Sequence, residues 1–467
     1  MGRLTVLWLI LLLVVRPALA ADPFDDLVAR AMAHWQVPGL ALAAVQDGEV
    51  VVEQVYGLRD VEAGLPVTPE TLFQLGSVTK SLTASGLALL AGQGAFDWDA
   101  PVDGLLPGFA LTDADVTARD LMTHRSGVPR HDALWYLEAY DRDQLIRRLG
   151  HLTPTRERGA AFQYSNLMVM AAGALAGHLA GTTWEDFTRT RLLEPLAMDN
   201  ARLSLAGFLA APNRATGYFP GEPGRIRIPP RDTDQIAPAA ALYADLEDMI
   251  RYLRFLLARG DPLVLPGEIE RLWRGDGGYG LGFYLRDHRG FRVVRHGGVI
   301  DGYAAELLLA PEADIGIVVL SNLSGANPVP RLVAKTLLDR LLNLEPIDWI
   351  GRRMARDAAA PRPAYKLVAL GTPARPLAAY AGRYRHPAYG TMEIAPEPDG
   401  PRLQGRLHGI DFLLVPRGGD LWQVAETVWP LRAGLEMRFE GDTLLTPLAD
   451  VPSDALNPGD LVFRRIR

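Results

Sequence analysis

The sequence predicts an α+β protein: an antiparallel sheet assembled from both ends of a long region, a helical subdomain inserted between them, and a small antiparallel β-barrel or sandwich at the C-terminus. Three observations predict it. A hairpin signal stands near the start of the chain, strand-like runs return only after residue 280, and from residue 377 onward short strand-like runs alternate with glycine turns.

Residues 1–20 carry Arg3, an apolar run from Leu4 to Val15, and then Arg16-Pro17-Ala18-Leu19-Ala20. This is the pattern of a signal peptide cleaved after Ala20, with a run too short for a typical spanning helix. The expectation is an exported protein, periplasmic or secreted, with no stable membrane anchor after cleavage. The chain has no cysteine, so neither a disulfide framework nor a lipidation site is available. Removing residues 1–20 leaves 46 basic against 55 acidic side chains, a balance that argues against general nucleic-acid binding.

Leu40 to Val45 and Val50 to Tyr56 flank Asp47-Gly48, a strong hairpin turn. The apolar run that follows Leu75 reads as a buried helix through Ala91, and Leu167 to Leu179 as another. Strands are expected at Gly282 to Arg286, Arg292 to Arg295, Ala304 to Leu309 and Ile315 to Leu320. Residues 21–347 thus form one domain, with its chemistry expected at the seam between sheet and helices. Residues 348–376, with Ala358-Ala359-Ala360-Pro361-Arg362-Pro363, read as a linker. Residues 377–467 form the barrel or sandwich, with strands at Gly382 to His386, Met392 to Ile394, Arg402 to Leu407, Phe412 to Val415, Leu435 to Phe439 and Leu461 to Phe463.

Lys80 is the only lysine in the first 334 residues of a chain that otherwise uses arginine. Arginine keeps its proton in a protein, whereas a buried lysine can be driven toward neutrality and act as a base. Ser77 precedes it by three residues, a spacing that puts both on one helix face. With nine serines and three lysines, chance gives about 0.06 such pairs. A serine in a first turn is also a common N-cap, so the pair needs company to mean chemistry. Tyr164-Ser165-Asn166 and His296-Gly297-Gly298 supply it.

Ser77 is a weak nucleophile until a neighbour takes its proton, and Lys80 and Tyr164 are the candidates. A phenolate needs a nearby cation and a neutral amine needs burial, so the two assignments are coupled and the sequence leaves both open. Asn166 offers an amide for both Lys80 and a substrate carbonyl. The Ser77 N–H, at a helix start, is free for an oxyanion. Gly297 and Gly298 would let a substrate backbone lie close to the strand edge. His296 would contact a substrate carboxylate or order Tyr164.

The order Ser-x-x-Lys, Tyr-x-Asn, His-Gly-Gly resembles the serine β-lactamase and penicillin-binding-protein superfamily, and within it the class C-like branch of β-lactamase-related serine hydrolases. Leu121-Met122-Thr123-His124-Arg125-Ser126-Gly127 and Glu194-Pro195-Leu196-Ala197-Met198 are similar to the same branch. The likeness covers about residues 27–345. The third motif of the superfamily is usually Lys-Thr-Gly; His-Gly-Gly is similar instead to esterases, D-amino-acid peptidases and other hydrolases of the branch. The resemblance implies Ser77, Lys80 and Tyr164 as catalytic residues, Asn166, His296, Gly297 and Gly298 as substrate-binding residues, and the N–H of Val299 as a second oxyanion donor beside that of Ser77. Tyr380-Ala381-Gly382-Arg383-Tyr384 and Tyr389-Gly390 resemble the lipocalin-like domain that follows some of these hydrolases, expected to shape access to the site or hold subunits together as a homo-oligomer.

Other motifs fail. Gly278-Tyr279-Gly280-Leu281-Gly282 lacks the spacing of a dinucleotide loop, no Gly-x-Ser-x-Gly occurs, Met168 stands where a short-chain dehydrogenase needs lysine, and no His-Glu-x-x-His is present. His124, His131 and Asp132 are close in sequence but make a poor zinc set, so neither metal nor cofactor is expected. The expected function is a serine hydrolase acting on an amide or ester of a peptide or small molecule through an acyl-enzyme. A peptide or peptidoglycan sensor without turnover, or a scaffold assembled by its barrel, are the competing classes. The loops around His131, Tyr218 and Asp301 are the expected pocket walls.

Overall fold

The Asp47-Gly48 turn adopts positive φ at both residues, 50° and 78°, as a tight hairpin requires. It folds strand β1 (Gly39–Gln46) onto β2 (Glu49–Asp60). The computed structural model describes residues 23–111, 115–136, 140–221, 224–325, 327–359, 370–398, 400–427, 435–446 and 461–466. The expected signal peptide and Ala360-Pro361-Arg362-Pro363 lie outside the described residues.

With β3 (Leu65–Pro66), β4 (Tyr284–His288), β5 (Phe291–Ile300), β6 (Tyr303–Ala310) and β7 (Ile315–Ser321), the hairpin forms one sheet in the order β3-β2-β1-β7-β6-β5-β4. Its two ends meet at β1 and β7, where Leu40 lies opposite Ser321 and Gln46 opposite Ile315. Both strands are almost wholly apolar because both faces are covered. Ala41, Ala43 and Val45 join the core under the helical insert; Leu40, Leu42 and Ala44 face the helices Pro23–Trp35 and Val329–Leu341 on the other side.

The insert is built on helices Thr79–Gly92 and Asn166–Leu179, buried on nearly every side and therefore central. Among the described residues no single helix is long and apolar enough to cross a membrane. Three sequence expectations are corrected. Ser77 sits in a separate 3₁₀ turn, Gly76–Val78, and only Lys80 belongs to the α-helix. β5 continues through His296-Gly297-Gly298 to Ile300 rather than ending before the glycines, since pairing with β6 outweighs their weak strand preference. The expected linker opens with a helix, Trp349–Ala359, whose first turn is capped by Asp348 accepting the Gly351 N–H at 2.8 Å and which buries Ile350.

The C-terminal unit is a closed barrel of eight antiparallel strands: Gly382–His386, Gly390–Pro396, Leu403–Leu407, Ile410–Gly418, Leu421–Thr427, Glu436–Glu440, Thr443–Thr446 and Leu461–Ile466. Tyr384, Met392, Leu403, Leu414, Trp422, Phe439 and Phe463 are buried and fill the interior, so the barrel is packed with its own side chains.

Candidate active site

Gly76 takes φ 52°, a conformation that suits glycine, and turns the chain so that Ser77 enters the seam between sheet and insert. Gly298 on β5 is the matching surface. A Cβ there would stand 1.8 Å from the Leu75 carbonyl oxygen and 3.1 Å from the Ser77 nitrogen. Only glycine lets β5 pass this close. A Cβ on Gly76 would likewise stand 3.2 Å from the Val299 backbone nitrogen, so the backbones of Ser77 and Val299 run side by side.

Four predicted side chains converge across about ninety residues of sequence. Tyr164 donates its hydroxyl to Ser77 Oγ at 2.8 Å. Lys80 Nζ lies 3.0 Å from Ser77 Oγ, 2.7 Å from Asn166 Oδ1 and 2.9 Å from the Ala239 carbonyl oxygen. Lys80 is fully buried. Burial and then the charge of Arg130 pull its pKa well below the ordinary lysine value, against a smaller opposing effect of Asp132. Burial pushes the Tyr164 phenol the other way, above the ordinary tyrosine range.

In its neutral form the Lys80 amine has two N–H groups and one lone pair. Asn166 Oδ1 and the Ala239 carbonyl accept only, so in that form they take the two N–H groups and the lone pair faces Ser77. Ser77 Oγ accepts from Tyr164, which leaves its own proton for that lone pair.

The His296 ring lies 6.4 Å from that of Tyr164. Its Nδ1–H donates to the Gly297 carbonyl at 2.8 Å and its Nε2 accepts from the Tyr279 hydroxyl, 3.0 Å away. The ring is 1% exposed, and burial followed by the charge on Lys80 lowers its pKa well below the usual value. His296 thus holds the Tyr279 hydroxyl.

Sequence reasoning missed Arg130, Asp132, His124 and Tyr279. Asp132 accepts from Asn166 Nδ2 at 3.0 Å and from Trp135 Nε1 at 2.7 Å, and pairs with Arg130 Nε. It thereby orients the amide that holds Lys80. His124 Nδ1 accepts the Ser165 N–H at 3.1 Å, and its ring lies 4.3 Å from that of Tyr164. The signal for Asp132 was its place among polar residues in an otherwise apolar stretch. The expected walls fare unevenly: Tyr218 is buried and donates to Glu62, whereas Asp301 receives Tyr136 and Arg231.

The family model described as Beta-lactamase matches residues 24–341. The chain belongs to the beta-lactamase family. Among curated relatives, the unguisins hydrolase ungD' of Aspergillus campestris is 28% identical over 422 residues, covering 80% of this chain and 78% of its own. The D-aminopeptidase of Gluconobacter oxydans is 28% identical over 305 residues, covering 62% of this chain and 57% of its own. Among solved structures, the octameric penicillin-binding protein homologue from Pyrococcus abyssi superposes with a TM-score of 0.63 at 24% identity, over 91% of this chain and 97% of that one. The beta-lactamase-family fold therefore accounts for the sheet, the helical insert and the seam, and the family is one of hydrolases.

Proposed function

We propose that this protein is a serine hydrolase that opens an amide or ester bond through an acyl-enzyme on Ser77. The observation that carries the reading is the placement of Ser77 Oγ between the Tyr164 hydroxyl and the buried Nζ of Lys80. Neutral Lys80 takes the Ser77 proton as Oγ attacks the substrate carbonyl carbon. The resulting oxyanion is held by the N–H groups of Ser77 and Val299. The proton on Lys80 then passes to the departing nitrogen or oxygen, with Tyr164 steadying Oγ as the bond breaks. Water repeats the sequence on the acyl-enzyme and frees Ser77. These residues need neither metal nor organic cofactor.

The names of the relatives, a hydrolase, a D-aminopeptidase and a beta-lactamase, support an amide in a peptide-like substrate. The leader-like residues 1–20 support action after export. The octameric neighbour supports self-assembly. The test is intact-mass spectrometry after a fluorophosphonate. One adduct on the wild type, absent from Ser77→Ala, is expected; no adduct on folded wild type would replace this reading with a binding role.

A further inference from the structure

The helices Val329–Leu341 and Trp349–Ala359 lie on the face of the sheet away from Ser77, and they gather positive charge in a chain whose formal net charge is −7. Arg331 and Lys335 stand four residues apart on the first helix, which makes them neighbours on its surface. Lys335 is one of three lysines in the whole chain. Its Nζ lies 3.2 Å from the centre of the Trp349 ring, and the guanidinium carbon of Arg352 lies 5.4 Å from the same ring. The indole thus joins the cations of the two helices, and it is itself pinned by donating its N–H to Asp339 at 2.8 Å.

The carboxylates near this group are already engaged. Asp339 pairs with His288 and Arg289, and Glu306 pairs with Arg295. Asp348 takes Arg30 and the Gly351 N–H, and Asp357 takes Arg353. The side chains of Arg331, Lys335 and Arg352 make no hydrogen bond or ion pair with any described residue. Arg331 and Arg352 are exposed and Lys335 is half-buried, so all three can be reached from solvent. Their mutual repulsion is not relieved within the fold. Partial burial and then the charge of Arg331 lower the pKa of Lys335, against a smaller opposing effect of Asp339; partial burial and then the charge of Arg295 lower that of Arg331, against a smaller effect of Glu306.

We infer that Arg331, Lys335 and Arg352 form a binding site for a phosphate group, on the face of the sheet opposite the nucleophile. Guanidinium forks match the oxygens of a phosphate two at a time, and an ammonium adds a compact charge beside them. Trp349 holds Lys335 and Arg352 within reach of one ligand. Three cations without a counter-charge answer a doubly charged oxyanion better than a single carboxylate. A soluble phosphate ester and a phospholipid headgroup present the same group, and experiment separates them. The site is independent of the chemistry at Ser77.

The test is isothermal titration calorimetry of the full chain with inorganic pyrophosphate, in a phosphate-free buffer of low ionic strength. Binding of one pyrophosphate per chain is expected, weakening as salt is added. Arg331→Gln and Lys335→Met are each expected to weaken it about tenfold, the loss of one charged contact, whereas Arg406→Gln, on the surface of the barrel, is expected to leave it unchanged. No binding by the wild type, or an equal loss in Arg406→Gln, would overturn the inference. Sedimentation with phosphatidylglycerol and with phosphatidylcholine vesicles then names the source. Pelleting with phosphatidylglycerol alone, reversed by pyrophosphate, assigns a headgroup; calorimetric binding without pelleting assigns a soluble phosphate. The wild-type titration is decisive even if a variant fails to fold.

Discussion

The hydroxyl of Tyr389 meets Nδ1 of His131 at 3.0 Å, and that bond crosses from the barrel to the loop that carries Asp132. Both residues are buried. His131 takes φ 49°, and burial lowers its pKa to about 3, so the ring stays neutral against the tyrosine. Arg148 closes the same joint by donating to the carbonyls of Pro387 and Ala388 at 3.0 and 2.8 Å. The barrel turn is therefore docked one residue from the carboxylate that orients Asn166, which in turn holds Lys80.

Tyr389→Ala is expected to cost about 3–5 kcal/mol, as truncating a buried aromatic does, and Tyr389→Phe about 1 kcal/mol for the lost hydrogen bond. Denaturant unfolding of both variants measures this, with Phe219→Ala on the exposed hairpin as a control expected within about 0.5 kcal/mol of wild type. A Tyr389→Ala protein as stable as wild type would show that the barrel does not dock through this turn.

Lys80→Met keeps the apolar stem and removes the lone pair that faces Ser77. Turnover of an activated ester is expected to fall by about 10²–10⁴, the range supplied by a positioned base. Circular dichroism should show an unchanged fold. Retained turnover would move the base to Tyr164.

The same substitution reports the protonation of Lys80 through stability. Its pKa is lowered on folding, so below the ordinary value of 10.5 the unfolded chain binds the proton that the folded chain excludes. Stability contributed by this site is complete above that value and is lost as pH falls, by up to about 1.4 kcal/mol per unit, until the folded pKa is reached. The wild-type minus Lys80→Met difference in unfolding free energy should therefore rise with pH across the neutral and mildly alkaline range. A flat difference would mean that Lys80 is charged in the folded protein. His124 and His296 should contribute no activity step near pH 6.5, because burial lowers both well below it.

The sequence disclosed the parts of the site that carry motif spacing and hid those that depend on folding. Ser77 and Lys80 announce themselves by proximity, and Tyr164 and Asn166 by pattern, but the bond from Asn166 to Asp132 joins positions 34 residues apart that no local rule connects. Ala239 contributes a bare carbonyl from a short helix, Ala237–Ala240, invisible to any reading of side chains. In the fold, the meeting of β1 and β7 was legible because both are continuous apolar runs. The barrel strands Leu421–Thr427 and Thr443–Thr446 were not, because neither shows a clean apolar-polar alternation.

Gly298→Ala tests the closest approach in the site. The added Cβ would meet the Leu75 carbonyl oxygen at 1.8 Å, a backbone atom that cannot swing aside, so β5 must retreat from the Ser77 turn. That retreat carries the Val299 N–H away from the oxyanion while leaving Lys80, Tyr164 and Asn166 bonded as before. The expected result is a loss in kcat of about 10²–10³, the cost of one oxyanion donor, with labelling of Ser77 slowed but still present. Gly224→Ala, whose Cβ meets nothing within 4 Å, serves as the control and should retain full activity. An active Gly298→Ala protein would mean that β5 has room to spare and that the second donor comes from elsewhere.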